Sequence, residues 1–151
     1  MRNAKCEIWN VAFRISHFEF RISPGGSMGF YDWDKMKPEE ISELYRRKVA
    51  LGENIMVARV EVMQGAVTQT HKHESEEVVI VLTGKWRFHL PNGEVTLGPN
   101  QMLSIPPGTE HSSEVLEDTV AIDICTPTRL DWITGEDRFL HRHPDELLWA
   151  V

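Results

Sequence analysis

The chain has 151 residues and a mass of 17.4 kDa, the size of one ordinary domain. It is 41% hydrophobic and 26% charged, which excludes wholesale disorder. Its longest uninterrupted apolar run, residues 78–82, is far short of the roughly 20 that span a bilayer. Sixteen Lys and Arg against 23 Asp and Glu give a net charge of -7, the wrong balance for a nucleic-acid partner. The two cysteines, Cys6 and Cys125, lie too far apart in sequence to suggest a disulfide framework, and they suit a reducing cytoplasm.

Residues 1–27 show no clear period and no secretory signal, and they end in Ser23-Pro24-Gly25-Gly26-Ser27 before Met28. A Pro-Gly-Gly-Ser-Met run can be encoded by a purine-rich ribosome-binding sequence followed by a start codon. Met28 is therefore read as the true start and residues 1–27 as translated leader. The other reading is a genuine extension that pairs with a sheet edge or a second subunit, and N-terminal sequencing of the native protein separates the two. Residues 28–50 read as a helical lead-in. Pro38 suits a first helical position, Glu39 and Glu40 favour the positive end of the dipole, and Ile41, Leu44 and Tyr45 fall on one apolar face.

From residue 51 the period changes to two. Strands are expected over 55–63, 77–83, 85–90, 94–97, 102–105 and 119–125, separated by turn signals that include Asn92-Gly93 and Pro106-Pro107-Gly108. Short strands at such spacing over residues 51–129 mean an all-β sandwich or barrel. The tail, 130–151, returns to helical character around 137–140 and near 144–149.

Histidines concentrate where the strands begin. His71 and His73 are two apart and share a face if they lie on a strand, Glu77 opens the next strand with Val79 and Val81 on its face, and His111 follows the Pro-Pro-Gly turn. Three imidazoles and a carboxylate in one barrel interior make a transition-metal site for Fe, Mn, Ni, Co or Zn, with coordination positions left open for catalysis. Taken singly, His-Lys-His could be an exposed polar turn, and Glu74, Glu76 and Glu77 a solvated charge run. The whole pattern is more specific: Gly65, five residues, His71-x-His73, three residues, Glu77, six residues, Gly84, then Pro106-x-Gly108, two residues, His111.

These residues resemble the two motifs of the cupin family. The first motif fits at every fixed position. The second departs from it at Asn100, where Gly is usual, and at Val115, where Asn is frequent. Asn is the best non-glycine residue for a left-handed turn. The resemblance implies a jelly-roll barrel, the double-stranded β-helix of cupins, with short flanking helices and one divalent metal held by His71, His73, Glu77 and His111.

On the last strand Ala121, Asp123 and Cys125 alternate with Val120, Ile122 and Ile124, and Arg129 follows where the strand leaves the barrel. Asp123 and Arg129 are read either as a structural ion pair or as a proton-transfer group and a carboxylate clamp. This closing stretch resembles that of KdgF-type cupins, which linearise 4,5-unsaturated uronates. Their Asp and Arg correspond to Asp123 and Arg129. Cys125 stands at their Phe position, and Glu77 where Gln is common. Trp86 and Phe88 are expected to wall the pocket, and Cys125 to fill space beside Asp123. His141 and His143, in the polar tail, are read as unconnected with the metal. The resemblance implies a metal-dependent isomerase, cyclase or lyase for a small sugar acid or related molecule, with a non-haem iron dioxygenase and a non-catalytic sensing cupin as alternatives. A small-molecule substrate, no membrane or nucleic-acid partner, a homodimer and a cytoplasmic location complete the expectation.

Overall fold

The alternation that the sequence shows from residue 51 onward begins earlier, at Glu39, in the computed structural model, which describes residues 29–142. The leader reading and the helix near 144–149 lie outside those residues. The helix expected in the lead-in is instead a hairpin. Strand β1 (Glu39–Ser42) pairs antiparallel with β2 (Tyr45–Leu51), and Ser42 stands opposite Tyr45 across a two-residue turn. Ile41 and Tyr45 both bury, as they would on a helix face, because the turn folds one back beside the other. What decides the outcome is the partner: β2 runs in register with β3 (Met56–Val62) over seven residue pairs, a gain that outweighs local helix preference.

Next come β4 (Val67–His71), β5 (Glu76–Leu90), β6 (Gly93–Leu97), β7 (Met102–Ile105) and β8 (His111–Thr126). The two expected strands 77–83 and 85–90 are one strand, β5, and the expected 119–125 is the second half of β8. A helix α1 (Leu130–Thr134), a 3-10 turn (Arg138–Leu140) where a helix was expected around 137–140, and a two-residue strand β9 (His141–Arg142) follow.

The two long strands organise the barrel. One edge of β8 pairs with β5, and the other pairs with β4 near its start and β3 near its end. β5 in turn takes β7 beside its first half and β6 beside its second, the β5–β6 hairpin turning at the Asn92-Gly93 signal. Strands this long must bend to close a barrel, and β5 does so at Gly84, where the β5–β8 register shifts. Gly84 has φ of 89°, and a Cβ there would lie 2.2 Å from the Asp118 carbonyl oxygen, so no other residue fits. Met56, Ala58, Val60, Val79, Val81 and Ala121 are fully enclosed and form the core between the two walls. Their period of two carries Glu77, Asp123 and Cys125 inward on the same faces.

Candidate metal centre

The chain's own geometry assembles the histidines. β4 ends at His71, whose register partner across the sheet is His111, the first residue of β8. His73 lies two residues beyond the end of β4, in the link to β5, rather than on the strand itself. A turn brings it back. The Gly108 N–H donates to the His73 carbonyl at 2.7 Å, and the Thr109 N–H donates to the Pro106 carbonyl at 3.2 Å. Pro107 followed by Gly108 at φ 73° has the form of a type II turn. The loop carrying His73 is thereby tied to the loop that delivers His111.

One nitrogen of each ring is spoken for. His71 Nδ1 lies 2.8 Å from the Gln69 carbonyl, His73 Nδ1 lies 2.8 Å from the Ser75 carbonyl, and His111 Nδ1 lies 2.9 Å from the Thr109 carbonyl. A carbonyl only accepts, so each Nδ1 must carry the proton and donate, and each neutral ring keeps its lone pair on Nε2. Burial lowers the His71 pKa to about 4 and also depresses that of His111, so both rings are neutral at pH 7. Ligand atoms of the three rings lie within 4.8 Å of one another.

Glu77 reaches this cluster from β5. Its Oε2 lies 2.7 Å from His73 Nε2 and 3.8 Å from His111 Nε2. His73 Nε2 and Glu77 Oε2 are buried with no hydrogen-bonding partner. Two facing lone pairs at that separation call for a shared cation. Imidazole nitrogens with backbone-anchored Nδ1–H groups and one carboxylate suit a divalent transition metal, and the carbonyl anchors fix tautomer and ring orientation. The donor set present therefore fits such an ion.

Glu77 also belongs to a second cluster, with Asp123 and Cys125. Across the sheets Asp123 stands between Val79 and Ala58, both fully enclosed. Burial first, and then the nearby Glu77 charge, push the Asp123 carboxyl well above the usual range. The Cys125 thiol donates to Asp123 Oδ1 at 3.7 Å, and burial raises its pKa too, so it remains a thiol.

Arg129, 4% exposed, faces this acid side, but its nearest carboxylate is not the Asp123 of the ion-pair reading. Nε and Nη2 engage the two oxygens of Asp131 at 3.1 and 2.5 Å, so the guanidinium's side-on edge is taken by its neighbour rather than by Asp123. Its Nη1 lies 3.7 Å from Glu77 Oε2, which leaves the end-on edge toward the cavity.

The cavity between these groups is lined by His71, Glu77, His111, Asp123 and Arg129, and by Trp86 and Phe88, whose rings stand 5.1 Å apart. Its interior volume is only about 20 Å³, so only the reacting end of a ligand enters. Sequence reasoning missed five further lining residues: Tyr45, Thr68, Ser113, Trp132 and His141. Thr68 and Ser113 lie on the inward faces of β4 and β8, and a period-two reading extended to 67–71 and 111–118 would have found them. The other three depend on the hairpin and the tail.

His141 is not among the three grouped histidines, yet it is buried. It is no solvated tail residue: it is 7% exposed, its Nδ1 lies 3.1 Å from the Thr68 hydroxyl, and its ring stacks 4.2 Å from that of Tyr45. Its Nε2 lies 3.6 Å from Asp137, which is itself joined to the fully buried Arg47 through Nη1 and, at 3.2 Å, Nη2. Burial alone would raise the Asp137 carboxyl, but the nearby His141 ring and the hydrogen-bonded Arg47 outweigh it and hold the pKa at about 2. Arg47 also donates to the Trp132 carbonyl at 3.1 Å and lies 4.3 Å from the Trp132 ring centroid. The tail is thus fastened over the cavity by an ion pair with β2.

Comparison with known proteins agrees with this geometry. The cupin domain model matches residues 58–125. KdgF from Halomonas sp. is 27% identical with a TM-score of 0.65, the match covering 69% of this chain and 99% of that one. An RmlC-like cupin from Shewanella frigidimarina (20% identical, TM-score 0.66, 71% and 97% covered) and ectoine synthase from P. lautus (12%, 0.64, 73% and 87%) share the fold. No curated protein matches the chain in sequence. Among the described residues no helix is long and apolar enough to cross a membrane. Domain match and barrel topology converge on one assignment: the chain carries a cupin domain over residues 58–125.

Proposed function

We propose that the protein is a metal-dependent enzyme that moves a proton during isomerisation, ring opening or cyclisation of a small oxygenated acid, most simply an unsaturated sugar acid. The observation that carries this reading is the pairing of opposites in one cavity. A buried carboxyl, Asp123, whose enclosure favours its protonated form, and a cationic guanidinium, Arg129, flank the imidazole cluster. His71, His73, Glu77 and His111 would hold the ion, which when bound supplies a Lewis acid for a substrate oxygen. Arg129 offers its end-on edge to the substrate carboxylate while Asp131 fixes the guanidinium's plane, so the acid is oriented as it enters. Asp123, shielded by Val79 and Ala58, gives up its proton to the reacting carbon or oxygen. Cys125 keeps the floor beside it small. The KdgF neighbour supports the sugar-acid choice, and Cys125 stands where that group has Phe.

The test is turnover of 4,5-unsaturated uronates by metal-loaded protein, followed by loss of their absorbance. Asp123→Asn should lower the rate at least about a hundredfold while metal content is unchanged. Full turnover in that variant would remove Asp123 from the chemistry. Unpaired sheet edges among the described residues support a homodimer, and a cytoplasmic location belongs to the same reading; sedimentation analysis and cell fractionation test the two.

A further inference from the structure

Two buried polar atoms of cavity-lining residues have no role in the mechanism above. The indole nitrogens of Trp86 and Trp132 are buried without any hydrogen-bonding partner, both residues line the cavity, and each is 4% exposed. A buried donor without an acceptor carries the full desolvation cost of its N–H, and native proteins rarely leave one so. An indole nitrogen only donates and cannot ligate a metal, so its missing partner must be an acceptor. The Trp132 ring is also immobilised. The Arg47 guanidinium carbon lies 4.3 Å from its centroid, that of Arg129 lies 5.3 Å away, and its carbonyl accepts from Arg47 Nη2 at 3.1 Å. On Trp86, packing against Phe88 restricts the ring.

We propose that Trp86 and Trp132 are specificity-determining residues whose indole N–H groups receive oxygens of an acidic, oxygen-rich ligand held by the free edge of Arg129. The assignment rests on the ligand class proposed above and deepens it. Donors at three points of one cavity select for acceptors at three points of the ligand: a carboxylate and at least two further hydroxyl, carbonyl or carboxylate oxygens. They select against ammonium-bearing ligands, which would leave the donors unpaired and meet like charge at Arg129. The small cavity volume means that these oxygens lie close together at one end of the ligand. Simple monocarboxylates with an apolar body satisfy Arg129 alone and bind weakly.

The experiment uses the zinc-loaded full chain, labelled with 15N and 13C so that each indole N–H peak is assigned through bonds without any substitution. Tartrate and D-galacturonate are the probes, with propionate as the acceptor-poor control. Tartrate or galacturonate should move the Trp86 and Trp132 indole protons downfield and saturably, leave the Trp33 indole in place, and bind about tenfold more weakly to Trp86→Phe and to Trp132→Phe. Saturable binding by calorimetry with both indole peaks fixed shows that the donors serve buried water, and overturns the proposal while the enzyme reading stands. Equal binding of propionate overturns it too. Indole shifts without turnover of any unsaturated uronate support the proposal and remove the enzyme reading. Failure of both acids to bind overturns the proposal, while turnover of unsaturated uronates still decides the enzyme reading.

Discussion

The groups that push the Asp123 carboxyl upward are its neighbours across two strand pairings. Val79 and Ala58 sit opposite it on the neighbouring strands, and Glu77 lies two pairs further along β5. The sign of the consequence follows from linkage. A carboxyl whose folded pKa is raised above its unfolded value of about 3.9 leaves stability intact below that value and costs stability as pH rises toward the folded pKa. In metal-free protein, Asp123→Asn removes that cost. Its thermal midpoint should equal the wild type's near pH 3.5 and exceed it increasingly above pH 4, measured by calorimetric scans at several pH values. A midpoint difference that does not grow with pH would mean that Asp123 is ionised in the fold. Residues of this kind were legible in the sequence, because alternation on 77–81 and 121–125 alone puts Glu77, Asp123 and Cys125 on inward faces. Trp132 and His141 were not, since no local period carries them: their burial comes from the tail folding back over β2 and β4.

At the scale of elements, the β1–β2 hairpin and the tail fail and succeed together. Ile41, Leu44 and Tyr45 have helical spacing, and three consecutive cations at 46–48 read as a helix end; only the presence of β3 as a partner turns them into strand. Once β2 is a strand, alternation buries Tyr45 and Arg47 and exposes Arg46. A buried arginine then demands anions, which the tail supplies as Asp137 and β1 as Glu39, at 3.0 Å from Arg47 Nε. Truncating one member strands the other. Arg47→Met should cost about 3–5 kcal/mol in urea unfolding, whereas the double variant Arg47→Met with Asp137→Leu should recover most of that loss. Acid sensitivity has the same origin. With its pKa depressed to about 2, Asp137 contributes stability above its unfolded pKa, and this is lost as pH falls from about 4 to 2. The depressed His141 pKa, set by burial, adds a loss in the same direction as pH drops below its unfolded value of about 6.5. The double variant should therefore show a flatter acid limb than wild type between pH 4 and 2. An unchanged limb would place the acid-sensitive carboxylates elsewhere.

For the molecule as a whole, barrel class and motif were readable because strands betray themselves by period two and because the motif residues are those that a barrel bend and a tight turn require, Gly84 and Gly108 among them. What the sequence does not encode locally is how the barrel mouth closes. The same closure sets how metal and fold depend on each other. Three histidines from the β4–β5 region and the start of β8, with Glu77 from β5, meet only when those strands are paired, so an ion held by them binds the folded chain and not the unfolded one. Mass action then stabilises the fold by about 2.7 kcal/mol at a metal concentration a hundred times the dissociation constant. Chelation should lower the thermal midpoint of wild type by several degrees and reverse on adding metal. His71→Ala, which removes one imidazole without touching the core, should melt at nearly the chelated wild-type temperature and respond to neither chelator nor metal. If chelator and His71→Ala lower the midpoint additively, the ion that chelation removes sits somewhere other than this cluster, and the orphaned Nε2 and Oε2 atoms would need a proton between them instead.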